Sequence, residues 1–399
     1  MNISSILLKE NATVESRARI NEIILNLLLV LGLLFPTSHA FEISATSSLL
    51  MGIILIIILL ILIGLNGIVS RNVKFTFSIL IIITISTFLG MAKYDLSDLN
   101  LGVLLQIITF SLLLIVNFSK IKISSLTIFT FYTVNSINVI LGFLVMTNNL
   151  WAKTFLLKHY AAYYAQLLPN MLRDHKPVLY FGSHSIAGFF LYIFFYLNFL
   201  LYKKTSSKLA LIFFILNLIL LLNIKSFTAL FLLAVALVQV AYHFLKATKV
   251  TWFVIPIAGV LIYFQYQEYI VTLTSQIFLS SANGFAGRYS EVGVIQQNFD
   301  YLKNNILPIG VLNLDQVYYT DNGFILNMIY GSIFLIFAVY GGLLRFLFTH
   351  LKSKFTILWI FGLFFCFEWG FPILLYNRSL YLLPFMIVFM KYIENWKKN

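Results

Sequence analysis

Residues 265–322 read QYQEYIVTLTSQIFLSSANGFAGRYSEVGVIQQNFDYLKNNILPIGVLNLDQVYYTDN. This interval decides the reading of the chain, because it is polar and everything around it is built for lipid. It carries Arg288, Glu291, Asp300, Asp315 and Asp321, the pair Tyr318 and Tyr319, and several Asn and Gln. The whole chain of 399 residues is 60% hydrophobic and 10% charged, with a mean hydropathy of +0.93. A soluble domain carries about 25% charged residues. A pore or carrier seldom needs so long an excursion from the bilayer, whereas an enzyme working at a membrane surface does.

Composition narrows the classes further. Cys366 is the one cysteine and lies in an apolar run, which excludes an intramolecular disulfide and argues against thiol chemistry. The N-terminal stretch mixes Lys9, Glu10, Glu15, Arg17, Arg19 and Glu22, and no small-residue cleavage site follows its apolar run, so it does not read as a cleavable signal. The net charge of +13 is spread over short segments between apolar runs. That distribution orients a membrane protein rather than gripping nucleic acid.

A span needs about 20 apolar residues. The sequence predicts an all-α polytopic membrane protein, residues 1–399 forming a single integral domain. Twelve spans fall at 22–38, 48–69, 75–92, 99–118, 123–146, 182–202, 208–223, 226–245, 250–266, 323–344, 355–371 and 373–390. Residues 208–245 also admit a re-entrant hairpin around Lys225. With both termini in the cytoplasm, most of the 27 basic residues fall inside, as the bias of cytoplasmic loops requires. Lys93, Lys153, Lys158, Arg173, Lys176, Lys225, Arg288, Lys303 and Arg378 fall outside. They gather in or beside two long extracytoplasmic loops, 147–181 and 265–322.

Three of the seven Arg are on that outer list: Arg173, Arg288 and Arg378. A guanidinium grips phosphate or carboxylate with a planar fork and stays charged when partly desolvated. The trio therefore suits a phosphate-bearing ligand, against the plainer reading of salt-bridged loop residues. Glu368, in FFCFEWGFP, is an ionisable group at membrane depth, where insertion costs roughly 2.5–3.5 kcal/mol for the costliest types. An ion pair with Arg378 is the expected remedy. In 147–181, Trp151, Phe155, Leu156, Tyr160, Tyr163, Tyr164 and Leu167 recur at helical spacing. They predict an interfacial helix whose Tyr163 and Tyr164 could stack on sugar rings, an interfacial aromatic belt being the plainer account. Next, RDHKPVLYFGSHSIAGFF sets Ser183 or His184 at a helix N-terminus, where backbone N–H groups favour anions. In LLNIKSFTALFLL, Lys225 and Ser226 fall at a turn, and a lone Lys there can simply snorkel.

Together these segments resemble the O-antigen polymerase and O-antigen ligase superfamily. RDHKPVLYFGSHSIAGFF looks like that family's Arg-Pro-x-Gly entry to a span, and IKSFTALFLL like its Ser-Arg-Gly/Thr-Ala-Leu-Leu turn. GRYSEVGVIQQNFDYLKNNILPIG looks like its Gly-Arg segment followed by an amphipathic stretch and a late Gly. DNGFILNMIYGSIFLIFAVYGGLL looks like its Asp-led entry to the next span. The likeness covers about residues 150–345. Lys225 stands where the family often has Arg, and Lys176 precedes Pro177 where Arg is common, so Lys176 could take the role of Arg173.

The resemblance implies a GT-C-like fold in a bacterial inner (plasma) membrane. It implies a metal-independent glycosyltransferase without cofactor, acting on undecaprenyl-pyrophosphate-linked oligosaccharide, with a separate chain-length regulator as a possible partner. Consistent with this, the sequence has no Asp-x-Asp, no clustered His/Cys ligands and no Gly-rich phosphate loop. Glycosyl transfer needs cations for the leaving pyrophosphate and a base for the acceptor hydroxyl. Arg288 is the leading cation, with Arg173 or Lys176, Lys225 and Arg378 as helpers and Tyr318 and Tyr319 beside the sugar. The base is sought among Asp321, Glu291, Asp315 and His184. Asp321 leads because DNG opens a span, although Asp-Asn-Gly before an apolar run is also an ordinary helix start. Polymerase is favoured over ligase because 265–322 contains no His. A lipid-linked oligosaccharide flippase or other twelve-span transporter is the reading from another class. It should show internal repeats and broken helices near the midplane, and no half-to-half repeat is legible.

Overall fold

The computed structural model describes residues 3–39, 42–43, 45–94, 98–160, 167–245, 293–313 and 322–396, with Gln267 and Val271. Apart from a two-residue antiparallel hairpin, Ser38–His39 with Glu42–Ile43, and three short 3-10 turns, the regular structure is helical. The helices are α1 (Ile3–Leu34), α2 (Ala45–Asn66), α3 (Ser70–Tyr94), α4 (Leu101–Ile115), α5 (Ser125–Met146), α6 (Leu150–Tyr160), α7 (Leu167–Arg173), α8 (His184–Thr205), α9 (Lys208–Asn223) and α10 (Phe227–Leu245). After them come α11 (Val294–Asn304), α12 (Gly323–His350), α13 (Lys354–Phe367) and α14 (Asn377–Asn395). Every expected span except 250–266, which lies outside the described residues, coincides largely with a helix. Among the described residues, five helices are long and apolar enough to cross a membrane: α2, α3, α5, α8 and α12.

Burial on α3 is inverted relative to a water-soluble helix. Its inward face holds Asn72, Thr76 and Ser86 beside Ile79 and Ile83, while Phe77, Ile81, Ile85 and Phe88 are more than half exposed. Polar groups inside and large apolar groups outside is the pattern that lipid selects. Two of these polar groups bond to the next helix: Asn72 Nδ2 donates to Leu114 O at 2.8 Å and Thr76 Oγ1 to Ser111 O at 2.8 Å, tying α3 to α4.

The chain forms two compact units. Unit 1 takes residues 1–37, 44–134 and 301–399, and in it α1 packs on α14, α2 on α4, and α3 on α4 and α12. Unit 2 takes 38–43 and 135–300. Its centre is α8, buried on nearly every side (Phe189, Phe190, Tyr192, Phe194, Phe195, Leu197) and flanked by α9 and α10. Polar amides hold unit 2 together. Asn198 Nδ2 and Asn217 Nδ2 both donate to Asn135 Oδ1, at 2.9 and 3.2 Å, and all three side chains are fully buried. Such amides link helices where lipid offers no alternative partner.

The interfacial helix expected from Trp151 to Leu167 is described over its first part as α6, residues 161–166 lie outside the described residues, and α7 follows them. On α6, Ala152, Leu156 and Tyr160 face inward, and Trp151 and Phe155 stack outside at 5.5 Å. One expectation is corrected here: the span expected at 323–344 is not one rod. Gly331 (φ −156°, ψ 20°) and Ser332 (φ 63°, ψ −169°) break α12, and a Gly/Ser pair is a recognised kink site. The rings of Phe324 and Tyr340, on opposite sides of the break, lie 5.1 Å apart. A straight helix would separate those positions by roughly 24 Å, so 323–330 folds back beside 333–350.

Candidate functional site

In unit 2, the turn after α7 gathers charge. Asp174 Oδ1 lies 3.9 Å from Arg173 Nε, and its Oδ2 lies 3.8 Å from Lys176 Nζ. Next to them, Lys153 Nζ on α6 donates to Asn148 Oδ1 at 2.6 Å and lies 3.2 Å from His175 Nδ1. One carboxylate thus stands between Arg173 and Lys176, with Lys153 on the neighbouring His175, and basic groups outnumber acidic ones. His175 turns the chain with a φ of 56°, so α7 ends and the cations are presented together. Lys153 and His175 were legible only as loop residues, because their meeting depends on α6 folding against that turn.

The same unit aligns two helix starts. Ser183 is the N-cap residue of α8 and His184 its first residue, as the sequence predicts. Ser226 caps α10, its Oγ accepting from Ala229 N at 3.2 Å, and exposed Lys225 precedes it at φ 53°. Ser185 Oγ and Thr228 Oγ1 lie 3.3 Å apart, and a Cβ on Gly188 would meet Ala229 Cα at 3.3 Å. The positive ends of α8 and α10, with His184 and Lys225, therefore share one end of unit 2. Below them Tyr180 is buried, and its hydroxyl donates to Asn138 Oδ1.

In unit 1, Arg378 and Glu368 do not form the expected ion pair. Arg378 is 1% exposed, and its guanidinium donates to Gly32 O at 3.0 Å, Leu33 O at 2.6 Å and Phe35 O at 2.9 Å. It caps the C-terminus of α1, where carbonyls lack helical partners and a cation meets the negative end of the dipole. Glu368 is fully buried. Its Oε1 accepts from Leu374 N at 2.7 Å, and its backbone oxygen accepts from Gly323 N at 2.8 Å. The N-cap of α12 is Asn322, not Asp321: Asn322 Oδ1 accepts from Phe324 N and Ile325 N at 3.0 and 3.1 Å.

The end of the second long loop is also anchored in unit 1. Tyr94 OH lies 2.7 Å from Tyr301 OH, and Lys93 Nζ donates to Asn305 Oδ1 at 2.6 Å. Burial, then the hydrogen bond with Tyr94, push the Tyr301 phenol above its ordinary pKa. Beyond it the chain tucks inward at Ile309–Leu312. Ile309 N donates to Ile329 O at 2.9 Å, just before the break in α12. Val311 N donates to Thr87 Oγ1 at 3.2 Å, and Asn100 N to Val311 O at 2.8 Å. Gly310 has a φ of 65°, and a Cβ there would lie 2.4 Å from Thr87 Cα. Only glycine fits both the backbone and the space.

Arg288, Glu291, Asp315, Asp321, Tyr163, Tyr164, Tyr318 and Tyr319 lie outside the described residues. Among the described residues no group of His, Cys, Asp and Glu is arranged to hold a metal ion. No family model, curated protein or solved structure matches the chain. The likeness to O-antigen polymerases accordingly rests on the residues of this chain alone.

Proposed function

We propose that the chain is a polysaccharide polymerase, for O-antigen or capsule. It transfers a growing glycan from undecaprenyl pyrophosphate onto the next lipid-linked repeat unit at the outer face of a bacterial inner membrane, with twelve spans and both termini cytoplasmic. The observation that carries this reading is the cation group Lys153, Arg173 and Lys176 around Asp174 and His175 in unit 2. Supporting it are the paired starts of α8 and α10 with His184 and Lys225 in the same unit. Arg173 or Lys176 acts here as a pyrophosphate ligand that helps Arg288, the leading cation of the second loop. Preorganised cations matter most where charge develops on a leaving group.

In the reaction the acceptor hydroxyl oxygen forms a bond to the anomeric carbon of the donor glycan. The bond from that carbon to the pyrophosphate oxygen breaks, and lipid pyrophosphate leaves with the electron pair. The hydroxyl proton passes to a base, for which His184, Asp321, Glu291 and Asp315 remain the candidates. Deleting the gene and separating surface glycans on a gel tests the reading. Single-repeat caps on lipid A core are expected, whereas long chains stranded on the lipid carrier would make the protein a ligase. A second reading, a flippase, draws support from one observation: α12 is broken at Gly331–Ser332 and its first half starts against buried Glu368, and discontinuous helices with buried polar groups are a transporter feature. In that case deletion would leave repeat units on the cytoplasmic leaflet.

A further inference from the structure

The half-helix 323–330 is held at both ends. At its start Gly323 N donates to the Glu368 backbone oxygen at 2.8 Å, and Asn327 Nδ2 returns to Gly323 O at 2.8 Å. At its end Ile329 O accepts from Ile309 N at 2.9 Å. The break at Gly331–Ser332 separates it from the rest of α12, against which it folds back with Phe324 on Tyr340.

Glu368 occupies the centre of the upper grip. Its Oε1 reaches Leu374 N in the turn between α13 and α14. Its Oε2 is buried against Gly323, so close that a Cβ on Gly323 would fall 1.5 Å from it, and the Tyr340 hydroxyl lies beside the same carboxyl. Phe324, the next residue, lies 4.8 Å from the Phe365 ring and 5.2 Å from Trp369. A buried carboxyl that accepts the Leu374 N–H on one oxygen and meets bare glycine at the other sets a distance between two segments. Asp321 precedes Asn322 and this grip in the sequence and lies outside the described residues.

We propose that Glu368 is a positioning residue that seats the half-helix 323–330 against the α13–α14 turn and thereby fixes the point at which the second long loop, with Asp321 near its end, joins that half-helix. Its effect on catalysis rests on the polymerase reading; the seating itself does not. A misplaced reacting group can cost about 100-fold in rate for a shift of roughly 1 Å.

The test uses full-length protein in which Trp369 is the one remaining tryptophan, with glycan polymerisation as the second readout. Glu368→Gln keeps a carbonyl for Leu374 N and is expected to hold both the Trp369 emission and the polymer length. Glu368→Ala and Gly323→Ala are expected to shift the emission and to lower kcat roughly 10–100-fold with little change in KM. In the double variant the Oε2 clash is gone, so Gly323→Ala adds little to Glu368→Ala; neighbouring residues couple in this way. That non-additivity stays readable by emission if either single variant folds poorly. Unchanged emission in Glu368→Ala, or additive effects in the double variant, overturns the proposal. So does a Glu368→Gln protein with native emission and no activity, because the carboxylate would then act chemically. Shifted emission and non-additivity in a protein that polymerises nothing would leave the seating intact and remove only the polymerase reading.

Discussion

Arg378 donates to Leu33 O at 2.6 Å and closes the C-terminus of α1 with its guanidinium. The bonds to Gly32 O and Phe35 O complete the fork. Truncation to Ala would leave several buried carbonyls without a donor, at about 1–3 kcal/mol each. Arg378→Ala is therefore expected to lose roughly 3 kcal/mol or more of stability, and Arg378→Lys to recover part, since one ammonium replaces a planar fork. Thermal melting in detergent reads both. If Arg378→Ala melts like the parent but abolishes glycan transfer, the residue belongs to the substrate site instead.

Gly310→Ala should be among the most damaging single changes. A Cβ there meets Thr87 backbone atoms at 2.4 Å, and the residue sits at φ 65°. Left-handed strain and overpacking act together, and a loss above about 3 kcal/mol is expected. The yield of monodisperse protein on size exclusion should fall sharply, and Thr87→Ala should restore only a little of it, because backbone atoms cause most of the clash.

Asn135→Ala removes the acceptor shared by Asn198 and Asn217. Both amides keep a second acceptor, Phe194 O and Phe213 O. Interhelical bonds of this kind contribute about 0.6–1.7 kcal/mol each in membrane proteins. Denaturant unfolding should therefore show a loss of roughly 1–3 kcal/mol, with the helical content of the native state unchanged.

Much of the helical layout was legible, because lipid writes apolar runs plainly and the breaks fall at Gly, Pro, Asn and charged residues. The helix start at Ser183–His184 was likewise marked by its sequence. What escaped depends on tertiary contact. Glu368 and Arg378 looked like partners across a short turn, yet each found backbone partners elsewhere in unit 1, which a single sequence does not reveal. Asp321 looked like the cap because Asp and Asn both suit that position, and only the path of the chain selected Asn322. The Gly331–Ser332 break carried a signal, the small pair inside an apolar run, but such pairs also sit in unbroken helices. Lys153 meets His175 only because α6 packs beside the turn after α7.

Asp174 gives the cation group a sign test. Asp174→Asn releases Arg173 and Lys176 from their shared carboxylate, so affinity for undecaprenyl pyrophosphate in detergent should rise. Lys153→Ala and Lys176→Ala should lower it, with a smaller effect at high salt, since exposed charges are screened within about 10 Å at 0.1 M. Equal affinity in all three variants would move the pyrophosphate away from this turn.

The central claim is tested most directly by reconstituting the purified protein in vesicles with a single undecaprenyl-pyrophosphate-linked repeat unit, in the presence of EDTA, and separating the products by size. The polymerase reading predicts a ladder of lipid-linked chains that is lost in Arg288→Ala and shortened in Lys176→Ala. Repeat units that stay single, whether or not they cross the vesicle membrane, would contradict it.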